Sequence, residues 1–139
     1  MASKIERMCI EKGMRMTDQR RVIAKVLSLA NDHPDVEEVY RRSVDIDSRI
    51  SIATVYRTVR LFEEAGILER HDFRVEKGEN RARFELVTEM HHDHLIDVEG
   101  GEVIEFHDSE LEELQMRIAE RHGYKLVDHR MELYGVKIK

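Results

Sequence analysis

The stretch Ser51-Ile52-Ala53-Thr54-Val55-Tyr56-Arg57-Thr58-Val59-Arg60-Leu61-Phe62-Glu63-Glu64-Ala65-Gly66 reads as a helix with a start, a buried stripe and a stop. The Ser51 hydroxyl is suited to accept from an amide left open in the first turn, and Gly66 tolerates the backbone that ends a helix. Ile52, Val55, Val59 and Phe62 recur at helical spacing and predict the buried face. An advance of ~100° per residue puts Arg57 nearly opposite that stripe, flanked by Ala53, Thr54 and Arg60. No acidic residue lies between Asp47 and Glu63, whereas Arg49, Arg57 and Arg60 do. Such a face is usually just solvated. Here Thr54 and Tyr56 add groups suited to thymine methyls and phosphates, and arginine is the side chain best matched to guanine edges and phosphate oxygens.

Working back from this helix, Ile5, Met8 and Cys9 mark a short one stopped at Gly13. Thr17 caps a second, buried through Val22, Ile23, Val26 and Leu27 and running to about Ala30. Pro34 suits the first turn of a third, whose stripe is Val36, Val39 and Tyr40. Working forward, residues 67–71 and 83–87 read as two strands around a polar loop containing Gly78. Short helices followed by such a hairpin outline a winged helix-turn-helix whose last helix enters the major groove.

The second half changes character. Residues 95–98, a Gly100-Gly101 turn and residues 103–106 predict another hairpin, followed by a helix with Leu111, Leu114 and Ile118 inward and Gly123 at its end. Lys125 to Tyr134 reads as a last strand. The expected fold class is therefore α+β, with a winged-helix domain at 1–87 and a small α/β dimerisation domain at 88–139. Its exposed sheet edges make a second copy the natural completion.

Composition supports this division. The 139 residues include 41% hydrophobic and 37% charged, which describes a globular chain with a heavily ionised surface. The net charge of −6 is unevenly placed: residues 1–84 carry +2 and residues 85–139 carry −8. One part is fitted to an anionic partner, the other concentrates carboxylates, for instance around cations. No apolar run approaches the ~20 residues of a membrane span, and Met1 to Glu6 lacks a signal-peptide core, so the expected location is cytoplasmic. Cys9 is the single cysteine and falls on the buried face of its helix, which excludes a thiolate zinc site within one chain. Any metal must rest on histidine and carboxylate.

His91-His92-Asp93-His94 is the strongest such signal. In an extended chain side chains alternate, so His92 and His94 face one way and His91 and Asp93 the other, and one tetrapeptide could seed two metal sites. Nitrogen and oxygen donors without sulfur suit Fe²⁺, Mn²⁺, Zn²⁺ or Co²⁺. A solvated polar turn and a loose metal-buffering cluster are the plainer readings. Glu112, three residues after Ser109, fits a capping box. His33 before Pro34 fits a turn, and His129 fits a satisfied strand histidine. His71, His107 and His122 carry less weight still. A metallohydrolase is a rival reading, but no nucleophile elbow, phosphate loop or further ligand pattern supports it, and the expectation is a protein that is not an enzyme.

Four segments in this order, Gly13-Met14-Arg15-Met16-Thr17-Asp18-Gln19-Arg20, Ser51-Ile52-Ala53-Thr54-Val55-Tyr56-Arg57-Thr58, His91-His92-Asp93-His94-Leu95 and Val103-Ile104-Glu105-Phe106, resemble the signature segments of the ferric uptake regulator family over nearly the whole chain. The resemblance implies a homodimeric repressor that binds AT-rich inverted-repeat DNA when Fe²⁺ or Mn²⁺ is bound, with Zn²⁺ able to substitute and one or two ions per subunit. It implies no membrane and no small-molecule substrate. By position it puts His33, Glu85, His92 and His94 around one metal and His91, Asp93, Glu112 and His129 around another. The implied DNA-contacting set is Arg15, Ser51, Thr54, Tyr56, Arg57 and Arg60, with Arg15 in the minor groove and Tyr56 and Arg57 in the major groove. Many members carry a Cys-x-x-Cys zinc site after the histidine cluster, where this chain has Asp97-Val98-Glu99-Gly100. Iron- and manganese-sensing branches include relatives without it. Zinc-responsive and peroxide-responsive regulators of the same family are the alternatives.

Overall fold

A computed structural model describes residues 2–73, 82–87 and 93–139. These fall into two compact units, one formed by residues 2–73 with 82–87 and the other by residues 93–139. The Gly78 loop, His91 and His92 lie outside the described residues.

The first unit has four helices, α1 (Lys4–Glu11), α2 (Asp18–Leu29), α3 (Val36–Ile46) and α4 (Ile52–Glu64), followed by strands β1 (Leu68–His71) and β2 (Arg83–Leu86). Each helix starts on a side-chain cap. Ser3, Thr17, Asp35 and Ser51 accept from the amides of Glu6, Arg20, Glu38 and Thr54. Asp35 therefore replaces Pro34 as the start of α3: its carboxylate satisfies an open amide, which proline cannot do, and Pro34 stays outside the helix. Gly13 and Gly66 adopt positive φ at the ends of α1 and α4, where the chain must turn left-handed.

The core gathers Ile5, Cys9, Ile23, Val39, Val55, Val59, Phe62, Ile67 and Phe84, among others. One expected position departs from the prediction. Ile52 is exposed and Thr58 is buried, so the stripe of α4 is Val55, Thr58, Val59 and Phe62. Ile52 is the first helical residue and projects beyond the end of the core.

Strands β1 and β2 pair antiparallel, with Glu69 opposite Glu85 and His71 opposite Arg83. The Phe84 amide donates to the Pro34 carbonyl at 3.0 Å, and Asp35 and Arg83 form an isolated bridge. These bonds tie β2 to the turn between α2 and α3.

The second unit has β3 (Asp93–Asp97), β4 (Val103–Phe106), α5 (Ser109–Arg121) and β5 (Glu132–Gly135). The sheet order is β4-β3-β5, with β3 antiparallel to β4 and parallel to β5. The strand expected over Lys125 to Tyr134 is confined to β5, so His129 lies in an irregular segment that leads into it. Asp108, not Ser109, caps α5 by accepting from the Glu110 and Leu111 amides, which leaves Glu112 out of the expected capping box. Leu114 and Ile118, expected inward, are 41% and 44% exposed in the single chain, and Leu111 is half-buried. A one-layer sheet of three short strands offers α5 no closed core to enter.

Candidate metal centres and nucleic-acid interface

The bonds between β2 and the α2–α3 turn decide what surrounds Glu85. Residues flanking Pro34 and Phe84 are carried together, and His33 Nε2 lies 3.0 Å from Glu85 Oε2. From the neighbouring strand, His71 Nε2 stands 2.6 Å from the other oxygen, Oε1. Both histidines are buried, and the Glu85 side chain is only 11% exposed. Glu69, on the same face of β1 as His71 and directly across from Glu85, forms with His71 and Glu85 a group of three whose donor atoms lie within 4.8 Å of one another. The His71 ring stacks on Phe73 at 4.9 Å between centroids and meets the His33 ring edge-on at 5.8 Å.

In the second unit, His94 is buried on β3, and its partner across the ladder is Glu105 on β4. Their donor atoms also approach within 4.8 Å. Asp93, the preceding residue, belongs to a separate group with Glu112 and His129, again within 4.8 Å. Asp93 is 1% exposed and its Oδ1 lies 3.1 Å from His129 Nε2. Glu112 Oε2 is 3.4 Å from His107 Nε2 on the approach to α5. The successive residues Asp93 and His94 thus enter different groups, because side chains of adjacent strand residues leave on opposite faces.

These groups combine imidazole nitrogen with carboxylate oxygen and contain no sulfur, a donor chemistry that suits a divalent transition ion. They are partly buried, so an ion held there would meet low-dielectric surroundings that strengthen its attraction to carboxylates. Cys9 takes no part: it is buried in the first unit, and burial raises its thiol above the ordinary value.

Of the residues singled out in the sequence, His33 and Glu85 come together, as do Asp93, Glu112 and His129. His91 and His92 fall outside the described residues. Sequence reasoning gave little weight to His71 and did not name Glu105 as a ligand. His71 had a usable signal, its place two residues after Glu69 on a strand, but its contact with Glu85 depends on a register that only the folded hairpin fixes. Glu105 likewise becomes a neighbour of His94 through pairing.

The α4 surface is arranged differently. Tyr56 and Arg57 are exposed, and Arg57 makes a 3.3 Å contact with Thr54 Oγ1. Ser51 Oγ and Thr54 Oγ1 are 3.0 Å apart at the helix start. Arg60 is exposed and pairs with Glu64 at 3.3 Å, so part of its charge is already met. Arg15 is exposed, and its carbonyl accepts from the Arg20 guanidinium at 2.7 Å. Asp47 holds Arg49 through two oxygen contacts and is itself kept below the usual carboxylate range by that guanidinium. The outer face of α4 is therefore cationic, with hydroxyl groups at its amino-terminal end.

Among the described residues, no helix is long and apolar enough to cross a membrane. A family model described as the ferric uptake regulator family matches residues 11–134. A ferric uptake regulation protein of Rhizobium leguminosarum bv. viciae is 62% identical over 139 residues, covering 100% of this chain and 95% of the relative. One from Brucella suis biovar 1 is 46% identical over 127 residues, covering 91% and 87%. Among solved structures, a zinc-bound manganese uptake regulator shares 61% identity with a TM-score of 0.83, covering 98% of this chain and 100% of that one. A ferric uptake regulator from Pseudomonas aeruginosa with manganese shares 36% identity with a TM-score of 0.80, covering 98% and 99%. With a family match over residues 11–134 and a relative 62% identical across the whole of this chain, the chain belongs to the ferric uptake regulator family.

Proposed function

We propose that this chain is a metal-dependent transcriptional repressor, not an enzyme, that binds AT-rich inverted-repeat DNA as a homodimer when Fe²⁺ or Mn²⁺ is bound. The observation that carries this reading is the pair of incomplete donor sets: His33 and Glu85 in the first unit, and His94 with Glu105 in the second. Among the described residues, each of these pairs by itself supplies two donors. A metal drawing on His33, Glu85, His92 and His94, with Glu105 able to add an oxygen, would couple the two units. His91, Asp93, Glu112 and His129 would hold a second ion within the second unit.

Such coupling gives the metal a way to control DNA binding. Only an ion that binds one arrangement of the units better than others shifts their equilibrium, and its effect on DNA affinity is then mirrored by DNA's effect on metal affinity, typically ~1–3 kcal/mol. Arg57, Tyr56, Thr54, Ser51 and Arg60 on α4 would meet the major groove, and Arg15 the minor groove. The inverted repeat follows from a twofold dimer placing two such helices one helical turn apart. Support for the dimer comes from the exposed Ile104, Leu114, Ile118 and Leu133 of the second unit, an apolar set that a second copy would cover.

Relatives are named both for iron and for manganese uptake, and the donor chemistry suits either ion; Zn²⁺ is expected to substitute in vitro. The test is fluorescence anisotropy of metal-stripped protein on an AT-rich inverted-repeat duplex, titrated anaerobically with Fe²⁺, Mn²⁺ and Zn²⁺ at fixed salt. Tight binding only with metal, lost in His92→Ala, is the expected result. Undiminished metal response in that variant would remove the coupling role, and metal uptake without DNA affinity would leave a metal-buffer protein.

A further inference from the structure

We infer that His71 is a positioning residue for Glu85, holding one carboxylate oxygen so that the other is presented to the metal. The inference rests on the reading of Glu85 as a ligand.

The argument starts from which atoms touch. Glu85 is approached by two imidazoles, but on different oxygens: His33 Nε2 at 3.0 Å on Oε2, and His71 Nε2 at 2.6 Å on Oε1. His33 Nε2 and Oε2 are donor atoms a metal could take, so their close approach must open when an ion enters between them. The His71 bond uses neither of those atoms and can persist. An ionised carboxylate only accepts hydrogen bonds, so His71 Nε2 carries the hydrogen and donates it.

The surroundings fix His71 well. It ends β1, its ring is 2% exposed, and it lies stacked against Phe73 with an interplanar angle of 8°. Glu69 Oε2 also faces the same nitrogen, but at 4.0 Å and from a half-exposed side chain it is too far to compete for the hydrogen. Glu85, in turn, has three rotatable side-chain bonds on a short strand, and without a tether its carboxylate would spend time in orientations useless to a metal. A hydrogen bond to a ligating carboxylate removes that freedom, and loss of such an outer partner typically weakens metal binding ~10–100-fold.

The experiment uses the full chain carrying Glu112→Gln, which disables the separate Asp93, Glu112 and His129 group. In that background His71→Phe keeps a flat ring against Phe73 but removes the donor, and His71→Gln restores a donor without an imidazole. Mn²⁺ affinity is measured by chelator competition, and the imidazoles on bound Mn²⁺ are counted by pulsed EPR. The expected result is ~10–100-fold weaker binding in His71→Phe, partial recovery in His71→Gln, and the same imidazole count throughout. Unchanged affinity in both variants would overturn the inference. So would the loss of one imidazole from the metal, which would make His71 a ligand in a site with Glu69 and Glu85. Glu85→Gln, run alongside, separates the two levels: if it leaves affinity intact, the assignment of Glu85 as a ligand fails and takes the role of His71 with it.

Discussion

Asp93 Oδ1 and His129 Nε2 meet at 3.1 Å although 36 residues separate them, and the Asp93 carboxylate is removed from solvent. Burying a carboxylate is costly unless it is hydrogen-bonded, and His129 supplies that partner. His129→Ala is therefore expected to lower the stability of the metal-free protein by about 1–3 kcal/mol. It should also shrink the stabilisation by added Zn²⁺, which for an intact site is about 2.7 kcal/mol at a concentration 100-fold above Kd. Thermal denaturation with chelator and with Zn²⁺ checks both, and equal metal stabilisation in the variant would remove His129 from the ligand set.

Arg57 offers a cleaner separation of function from folding. It is exposed, opposite the buried stripe of α4, so Arg57→Ala should leave the thermal midpoint within error of the parent. Metal-loaded protein should nevertheless bind operator DNA more weakly, by about 1–3 kcal/mol if Arg57 reads a base edge. A loss uniform across sequences, with a salt slope reduced by ~1, would instead assign it to phosphate. Unaltered DNA affinity would take it out of the interface.

Asp97 closes the turn between β3 and β4. Its Oδ1 accepts from the Glu99 amide at 3.0 Å and the Gly100 amide at 3.2 Å, and these bonds hold its carboxyl below the usual range. A carboxyl lowered on folding contributes stability that is complete above its unfolded value, about pH 4, and is lost as pH falls through the lower folded value. Asp32 and Glu38 act in the same direction, chiefly through hydrogen bonds from Arg42 and Arg41 respectively. Acid unfolding followed by circular dichroism should thus show stability falling below about pH 4, with a shallower dependence in Asp97→Asn. An unchanged profile would mean that the turn holds without this carboxylate.

The outward face of the second unit makes a prediction about assembly. Leu114 and Ile118 lie four residues apart on α5 and are substantially exposed in the single chain. Replacing both with Glu should leave the helix intact, since glutamate favours helix, while placing two charges where a partner would have to bury them. Sedimentation equilibrium is expected to change from dimer to monomer, with loss of cooperative binding to the inverted repeat. A dimer that survives the double substitution would place the interface elsewhere.

The helices and their order were legible because local rules set them. Ser51 and Thr17 are caps, Gly13 and Gly66 are stops, and Val55, Val59 and Phe62 recur at helical spacing; each signal lies within a few residues of what it controls. The split of Asp93 from His94 could be foreseen for the same reason, because strand alternation is a property of neighbouring residues. Where competing local signals stood side by side, the reading erred: Asp35 and Asp108 supplant Pro34 and Ser109 as helix starts, and Lys125 to Met131 do not continue the strand.

Composition and spacing along the chain suffice for the set of elements, the histidine and carboxylate donor chemistry, and the cationic outer face of α4. It takes the folded chain to put Glu85 between His33 and His71, His94 across from Glu105, and Asp93 against His129. The meeting of Glu85 with His33 needs the Phe84 amide to bond to the Pro34 carbonyl, and the His129 that meets Asp93 lies outside the strands; the meetings of Glu85 with His71 and of His94 with Glu105 depend on the β1–β2 and β3–β4 registers. A shift of one residue in either would turn every side chain of the strand to the opposite face, and no local spacing encodes such a choice.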